Sequence, residues 1–261
     1  MIHQSAIIHE SAQVAEDVEI GPYCIIGPNV KLGKGSKLMS HVVLDGHTTI
    51  GDNNVFFPFC SIGAPPQDLT YKDEPTQVII GDNNIFREYV SVHRGTLKQD
   101  QITQIGSNSL FMAYVHFGHD VTIGSHVVIA NSVNLAGHVS IGDRCIIGGA
   151  TSVSQFVSLG EGSYIGGGSA CDRDVPMHCT AYGNRIKLKG INIIGLKRMG
   201  IEKQAISEVV DFYRSMESSA LSPRAFINHP EFMEDFEGNE IITKIRKFIE
   251  KSEIGIAPFM A

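Results

Sequence analysis

Several features common in exported and membrane proteins are missing from this sequence of 261 residues. It has no tryptophan and no CxxC pair, and its five cysteines, an odd number, fit poorly with a framework of disulfides. It also lacks the run of about 18 apolar residues that indicates a membrane span. Residues 1–6 lack the basic and long apolar stretches of a signal peptide. We therefore expect a cytoplasmic protein without a membrane span.

The sequence also has no excess of basic residues. The net charge of −7 argues against non-specific binding of nucleic acid, which depends on basic side chains. Apolar residues make up 43% of the chain and charged residues 19%, a composition typical of a globular protein and not of a disordered one.

Glycine, in contrast, is abundant, and its spacing is regular. The pairs Ile20-Gly21, Ile26-Gly27 and Leu32-Gly33 recur every six residues. The period of six matches neither the 3.6 residues of a helix nor the two of a half-buried strand, so it predicts a solenoid in which each hexad is a short strand and a corner. The frame continues over most of the chain, through a first gap that keeps the count and a second that moves it by one residue: Ile2, Ile8, Val14, Ile20, Ile26, Leu32, Leu38, Leu44, Ile50, Phe56, Ile62, Ile80, Phe86, Val92, Ile105, Phe111, Phe117, Ile123, Ile129, Leu135, Ile141, Ile147, Val153, Leu159, Ile165 and Cys171.

Three hexads close one triangular coil of 18 residues, and stacked coils bury a continuous column of apolar side chains. Residues 1–184 therefore predict a parallel β-helix of about nine coils, joined by hydrogen bonds at the strand spacing of about 4.8 Å. Cys24, Cys60 and Cys145 lie two residues before a frame position. We interpret them as small core fillers and not as redox groups.

Two polar segments without the six-residue period interrupt this frame, near residues 64–78 and 95–103. Excursions from a regular solenoid often carry function. After Asp174-Val175-Pro176 the frame ends, and from about Arg185 to residue 261 the pattern predicts a helical domain. Its signals are an N-cap and first helical position at Ser222-Pro223 and two apolar stripes, Ile201, Ala205, Ile206, Val209, Val210 and Tyr213, then Ile241, Ile242, Ile245, Phe248 and Ile249.

Basic residues cluster at the start of this predicted helical domain. A solvated face is the simpler interpretation, and a landing site for an acidic partner is the alternative. This stretch contains a single acidic residue, Glu202. Its basic residues are Arg185, Lys187, Lys189, Lys197, Arg198 and Lys203.

The densest group of chemically useful side chains lies in Val115 to Asp120 and in Ala136 to His138. Residues 18 apart stack in a coil of 18, so His119 lies under Gly137 and Gln155, and Asp120 lies under His138. The period thus predicts that His119, Asp120, His138 and Gln155 converge on one patch.

Three interpretations of this patch compete. It can be ordinary polar surface. It can hold a general base, because a histidine accepts a proton near neutral pH, an adjacent Asp stabilises the charged ring, and a backbone N–H such as that of Gly137 can bind an oxyanion. It can also bind zinc, as in the β-helical carbonic anhydrases. That family spaces two of its histidines five residues apart, whereas His116 and His119 are three apart.

Seven short segments occur in one order from the coils to the tail: Gln67-Asp68-Leu69, His93-Arg94-Gly95-Thr96, His116 to Asp120, Leu135-Ala136-Gly137-His138, Gln155-Phe156, Asp174-Val175-Pro176 and Gly195-Leu196-Lys197-Arg198. Together with the hexads they resemble the UDP-N-acetylglucosamine O-acyltransferase family of hexapeptide-repeat enzymes, which acts in lipid A biosynthesis. The resemblance implies a left-handed β-helix and a homotrimer. It also implies transfer of a 3-hydroxyacyl chain from acyl carrier protein, with no cofactor beyond the donor's phosphopantetheine and no metal.

The resemblance also implies roles for individual residues. His119 corresponds to the catalytic base, Asp120 to its partner and Gly137 to the oxyanion donor. Gly167 corresponds to the position that gauges acyl-chain length, where glycine leaves room for a long chain. Positions that contact the sugar or the acyl pantetheine correspond to Gln67, Asp68, His116, His138 and Gln155, and positions near the nucleotide to Asn192 and Arg198.

Four positions depart from the common family pattern. Thr70 stands where a lysine is common, Ser154 where a histidine precedes Gln155, Ile194 replaces a glutamate, and Met199 replaces an arginine. Sugar recognition is therefore less determined than acyl transfer, and a 3-amino UDP-sugar is an alternative acceptor. The alternatives of other kinds are an acetyl-CoA-dependent hexapeptide transferase, the pathway's N-acylating enzyme, a trimeric zinc hydratase and a purely structural module.

Overall fold

In the computed structural model, which describes residues 1–260, the hexads become short strands separated by corners. Most strands are two residues long, and the longer ones are the eighth strand, the four strands that flank the two loops, and the last two strands. In chain order they are β1 (Ile7–Ile8), β2 (Gln13–Val14), β3 (Glu19–Ile20), β4 (Ile25–Ile26), β5 (Lys31–Leu32), β6 (Lys37–Leu38), β7 (Val43–Leu44), β8 (His47–Ile50), β9 (Val55–Phe56), β10 (Ser61–Ala64), β11 (Gln77–Ile80), β12 (Ile85–Phe86), β13 (Ser91–His93), β14 (Ile102–Ile105), β15 (Leu110–Phe111), β16 (His116–Phe117), β17 (Thr122–Ile123), β18 (Val128–Ile129), β19 (Asn134–Leu135), β20 (Ser140–Ile141), β21 (Ile146–Ile147), β22 (Ser152–Val153), β23 (Ser158–Leu159), β24 (Tyr164–Ile165), β25 (Ala170–Cys171), β26 (Cys179–Tyr182) and β27 (Lys187–Ile191).

Every third strand joins the same sheet, so the rod has three flat sides. One sheet has nine strands from β1 to β25, a second has eight from β2 to β23, and a third has ten and includes β26 and β27. Pairing through the coils is parallel, and partners are one coil apart, as in His116↔Asn134 and Phe117↔Leu135. The predicted 18-residue stack is confirmed by this register.

The two loops explain the behaviour of the hexad frame. Across the first loop, residues 65–76, Ser61 pairs with Ser91, 30 residues on instead of 18, so two whole hexads are inserted and the frame continues. Across the second loop, residues 94–101, Ser91 pairs with His116, 25 residues on, so the insertion is one hexad plus one residue. Both loops are slightly shorter than predicted, because β11 and β14 extend to four residues and pair with each other.

The side chains of the frame point into the rod and form its core. Phe56, Phe86 and Phe111 are fully buried and lie in successive coils with ring centroids 4.7 and 5.0 Å apart. All five cysteines are free and buried, and burial raises the pKa of the Cys60 thiol to about 12. The prediction that the cysteines at positions 24, 60 and 145 fill the core is therefore confirmed.

The end of the rod differs from the sequence prediction. Residues 187–191, which were assigned to the helical domain, form β27, and this strand pairs antiparallel with β26. It satisfies backbone groups beside the last coil, which explains why a segment that begins with Lys187 is extended. The helices follow as α1 (Ile193–Arg198), α2 (Lys203–Ser218), α3 (Pro223–Ile227), α4 (Pro230–Met233) and α5 (Glu240–Lys251), with a 3₁₀ turn at Glu234–Phe236.

The helices pack on one another and on the last coils. Ser222 caps α3 as predicted, because its side chain accepts a hydrogen bond from the N–H of Ala225. The buried side of α2 includes Phe212 and Met216, which the predicted stripe omitted. Tyr213 on the same helix donates to the carbonyl of Met177 at 2.8 Å, which fixes the helix against the end of the rod. Within residues 1–260, none of the helices has the length and apolar character needed to cross a bilayer.

Adjacent residues of β6 provide a test of the inward frame. Leu38 is 2% exposed, whereas the Lys37 side chain is 53% exposed and pairs with Glu19 at 2.8 Å. We expect Leu38→Ala to lower the free energy of unfolding by about 2–5 kcal/mol, because it leaves a cavity in the column. Lys37→Ala is the control and loses at most about 1 kcal/mol, since exposed ion pairs stabilise little. Urea unfolding followed by circular dichroism measures both, and equal losses would contradict the inward frame.

Candidate active site

His119 and Asp120 lie at the corner between β16 and β17 and form a buried pair. His119 is 6% exposed and Asp120 is 1% exposed. The His119 Nδ1 and Asp120 Oδ2 atoms are 2.8 Å apart. A carboxylate only accepts hydrogen bonds, so the shared proton is on Nδ1, and in the neutral ring the lone pair is on Nε2 of His119. This tautomer is the one that a general base needs.

Gly137 lies one coil above His119 and is in contact with its ring. A Cβ atom on residue 137 would lie 2.4 Å from Cε1 and 2.7 Å from Nε2 of His119, so only glycine fits beside this histidine. Among residues 1–260 the backbone N–H of Gly137 has no hydrogen-bond acceptor. A free donor therefore lies next to the nitrogen that can accept a proton.

His138, one coil above Asp120, contacts the His119–Asp120 pair. Its backbone N–H donates to the carbonyl of His119 at 2.9 Å, which holds the two coils in register. Its ring lies edge-on to the His119 ring at 5.0 Å and stacks on Phe156 at 4.6 Å. Burial lowers the pKa of His138, although the nearby Asp120 carboxylate opposes that shift.

Two further histidines line the same side of the rod. The His116 Nδ1 atom is 2.8 Å from the hydroxyl of Ser91, and the His93 and His116 rings meet edge to face at 4.8 Å. Burial lowers the pKa of both, and the charges of His116 and His119 help to bring that of His93 to about 4. The lowered pKa favours the neutral form of both rings. The Nδ1 atom of His116 pairs with Ser91, whereas the buried Nδ1 atom of His93 has no hydrogen-bond partner among residues 1–260.

These residues form a groove of about 320 Å³ on the sheet that contains β13, β16, β19 and β22. Five of the predicted site residues line it together: Gln67, His116, His119, Gly137 and Gln155. Asp120 and His138 both contact His119 but do not line the groove themselves. The sequence prediction of one converged patch is therefore correct in its geometry.

The second loop supplies three contacts that the sequence prediction missed. Thr96 donates two hydrogen bonds to the Asp120 carboxylate, from its N–H at 2.8 Å and from its hydroxyl at 2.7 Å. The Gln99 side chain lies 2.7 Å from Nδ1 of His138. The Lys98 ammonium lies 2.6 Å from Oδ2 of Asp68 and thereby joins the two loops. Thr96 belongs to the His93-Arg94-Gly95-Thr96 segment of the family resemblance, whereas no pattern in the sequence marked Lys98 or Gln99.

Asp68 is held as an anion by this contact. The Lys98 ammonium, with the N–H and hydroxyl of Thr70, lowers the pKa of the Asp68 carboxyl strongly. Thr70 stands where a lysine is common in the resembled family. In this chain, Lys98 from the other loop provides a positive charge beside Asp68.

Asn192 and Arg198 lie apart from this group, in a second groove of about 470 Å³ that also contains Arg144, Ile194 and Met199. The Asn192 side chain has a structural role here. It accepts from the N–H of Gly195 at 2.9 Å as the cap of α1, and it donates to the carbonyl of Gly162 at 2.9 Å. Gly167 is exposed beside Gly149 and lines neither groove.

The contacts of His119 and Asp120 also allow the zinc alternative to be assessed. His119, Asp120 and His138 offer ligand atoms within 4.8 Å of one another. The Asp120 carboxylate, however, already accepts hydrogen bonds on both oxygens, from His119 and from Thr96. This arrangement fits a hydrogen-bonded base better than it fits a metal ligand.

Comparisons with known proteins agree with this geometry. The family described as UDP N-acetylglucosamine O-acyltransferase, domain 2, matches residues 174–257, and the bacterial transferase hexapeptide family matches residues 1–34 and 102–137. Two relatives carry the name acyl-[acyl-carrier-protein]–UDP-N-acetylglucosamine O-acyltransferase. The one from Fusobacterium nucleatum is 51% identical over 84% of each chain, and the one from Thermodesulfovibrio yellowstonii is 43% identical over 84% of each chain.

Solved structures give the same result. The structure of LpxA from Acinetobacter baumannii is 44% identical, covers 98% of this chain and 99% of its own, and superposes with a TM-score of 0.94. A UDP-N-acetylglucosamine acyltransferase from Francisella novicida is 36% identical, with 99% and 94% of the two chains covered and a TM-score of 0.92. These likenesses confirm the predicted fold, a left-handed parallel β-helix followed by helices.

The contact between Gly137 and His119 predicts the effect of one added methyl group. We expect Gly137→Ala to push the His119 ring out of place and to lower kcat about 100-fold, the loss that a displacement near 1 Å causes in an active site. Circular dichroism and the melting temperature check that the coils stay folded. A folded variant with near-normal kcat would contradict the proposed crowding.

The lowered pKa of His93 predicts a pH dependence of stability. The unfolded state binds a proton on this residue below about pH 6.5, whereas the folded state does so only near pH 4. The contribution of His93 is therefore fully present above pH 6.5 and is lost as the pH falls from 6.5 to 4. We expect His93→Gln to weaken the fall in unfolding free energy over this window, and His47→Gln, at an exposed position, to leave it unchanged. Urea unfolding at several pH values measures the difference, and identical slopes for His93→Gln and the native chain would refute the prediction.

Proposed function

The chain belongs to the UDP-N-acetylglucosamine O-acyltransferase family, and we propose that it transfers a 3-hydroxyacyl chain from acyl carrier protein to the 3-hydroxyl of UDP-N-acetylglucosamine. This reaction is the family's step in lipid A biosynthesis. The observation that carries the proposal is the groove in which the lone pair of a base and an unoccupied backbone donor lie side by side. His119 supplies the first and Gly137 the second.

The first step is a proton transfer coupled to attack. Nε2 of His119 removes the proton of the sugar hydroxyl as its oxygen attacks the thioester carbonyl carbon. Asp120 accepts from the Nδ1–H throughout, which keeps the ring oriented and stabilises the positive charge that it gains. The carbonyl oxygen becomes an oxyanion, and the N–H of Gly137 is placed to donate to it.

The second step is collapse of this intermediate. The carbon–oxygen double bond forms again, the carbon–sulfur bond breaks, and the proton on Nε2 of His119 passes to the sulfur. The products are an ester on the sugar and the free thiol of the donor's phosphopantetheine. The donor carries its own prosthetic group, so the proposed reaction uses no further cofactor and no metal.

The sugar and the pantetheine lie along the groove on either side of His119. Gln67, His116 and Gln155 offer amide and imidazole groups of the right kind for sugar hydroxyls and amides. His138 and Asp68 are further candidates for contacts with the sugar or the pantetheine, and Lys98 adds a positive charge beside Asp68.

We place the nucleotide end of the acceptor by the second groove, where Arg198 and Arg144 offer guanidinium groups to a diphosphate. Asn192 shapes this groove by capping α1. Ile194 and Met199 make its wall apolar where other family members carry charged side chains, so affinity for the nucleotide depends more on the two arginines.

We assign the acyl chain to the exposed surface around Gly167, and acyl carrier protein to the basic segment at residues 185–203. Gly167, exposed and without a side chain, leaves room for a long acyl chain, around fourteen carbons by analogy with the family. Acyl carrier protein is acidic, and it fits the basic residues 185–203, of which Lys187, Lys189 and Lys197 are exposed.

We further propose that the protein is a homotrimer that acts in the cytoplasm. An exposed ladder of stacked rings, one per coil, runs along one corner of the rod and offers a contact surface to the matching coils of a second copy: Tyr23, His41, Phe59, Tyr89 and Tyr114. Five free, buried cysteines favour a reducing compartment.

A transfer assay tests the proposal. Acyl carrier proteins with acyl chains of several lengths are offered to UDP-N-acetylglucosamine and to its 3-amino analogue, and the products are identified by mass spectrometry. We expect the ester to form with a long 3-hydroxyacyl donor and His119→Ala to abolish transfer, because His119 is the histidine of the groove that Asp120 orients and that lies against Gly137. His47→Ala, at an exposed position outside the groove, is the control.

Three outcomes would overturn parts of the proposal. Transfer only to the amino analogue would show that the acceptor is wrong. Near-normal transfer by a folded His119→Ala variant would show that the base is wrong. Stoichiometric zinc in the purified protein, with carbon dioxide hydration and no transfer, would establish the hydratase alternative.

A further inference from the structure

We propose that Thr96 is a positioning residue for the base, acting through Asp120. This inference rests on the proposed function and extends it to a residue of the second loop. Thr96 is 4% exposed. Its N–H donates to Oδ1 of Asp120 at 2.8 Å, and its hydroxyl donates to Oδ2 at 2.7 Å. One residue thus holds both oxygens of the carboxylate that orients His119.

The charge of Asp120 makes these two hydrogen bonds important. The carboxylate is fully buried, and among residues 1–260 no lysine or arginine lies within ion-pair distance of it. A buried carboxylate without a cation needs hydrogen-bond donors to remain charged and oriented. Apart from the Nδ1–H of His119, both donors to the carboxylate come from Thr96.

The backbone around Asp120 is fixed by a different threonine. Asp120 has a φ of 59°, an uncommon conformation for a residue with a side chain. Its N–H donates to the hydroxyl of Thr103 at 2.9 Å. Thr103 therefore holds the backbone of the corner and Thr96 holds the side chain, so the two roles are separable by substitution.

The Thr96 hydroxyl is well placed to affect turnover more than binding. It lies behind the His119–Asp120 pair, and Thr96 does not line the groove that we assign to the substrates. Losing a hydrogen bond to a charged group lets the carboxylate rotate away from Nδ1. We expect kcat to fall roughly tenfold to a hundredfold, with KM for both substrates changed less than about twofold.

A double-mutant cycle tests this role. Thr96→Val replaces the hydroxyl with a methyl group and leaves the backbone N–H in place. It is made in the native chain and in the Asp120→Ala variant. Because Thr96 acts through Asp120, we expect the loss in kcat in the native chain and almost no further loss in Asp120→Ala. Thr96→Ser restores the hydroxyl and should recover most of kcat. Thr48→Val, at a buried threonine whose hydroxyl donates to a backbone carbonyl, is the matched control.

Two results of this cycle would overturn the inference. One is an equal loss from Thr96→Val in both backgrounds, which would mean that the residue only stabilises the loop. The other is a loss that Thr96→Ser does not recover.

A second measurement does not depend on the reaction. In nitrogen-15 histidine-labelled protein, the Nδ1–H proton of His119 is protected from exchange with water by the Asp120 carboxylate. We expect its resonance in the native chain, in Thr96→Ser and in Thr48→Val, and its broadening or loss in Thr96→Val. An unchanged resonance in folded Thr96→Val would overturn the positioning role. If the native chain transfers no acyl group, the proposed function fails and this spectrum still decides the role of Thr96.

Discussion

Hydrogen bonds between successive coils determine which residues of this chain meet. Each strand of the coils pairs in parallel with the strand one coil away, and the register is kept through the corners, where the N–H of His138 donates to the carbonyl of His119. This contact places Gly137 against the His119 ring and His138 above Asp120. The proposed base, its partner and the proposed oxyanion donor are therefore positioned by backbone geometry more than by side-chain packing.

The two loops supply hydrogen-bond partners that the coils do not provide to the candidate site. A regular coil offers a buried corner for Asp120 and, apart from the Nδ1–H of the adjacent His119, no donor for its carboxylate. The second loop brings Thr96 to that carboxylate and Gln99 to His138, and Lys98 ties it to Asp68 of the first loop. The loops can carry these contacts without disturbing the core, because the strands that flank each loop keep their partners in the neighbouring coils.

Much of this arrangement follows from the sequence, because a period of six is a strong geometric constraint. It predicts the coils, the buried frame, and the meeting of His119 with Gly137. The period says nothing about the path of a loop, so the contacts of Thr96 and Lys98 could not be predicted. It also could not predict that residues 187–191 form a strand, since that strand depends on pairing with the last coil. The capping role of Asn192 likewise depends on where α1 begins.

A crystal structure of the protein with its acylated UDP-sugar product tests the proposed catalytic site most directly. We expect the sugar 3-oxygen within hydrogen-bond distance of His119 Nε2, and the ester carbonyl oxygen within hydrogen-bond distance of the Gly137 N–H. We also expect the nucleotide towards Arg198, in the same chain or a neighbouring copy. A product whose ester lies away from both His119 and Gly137 would contradict the claim that the stacked coils build the catalytic site.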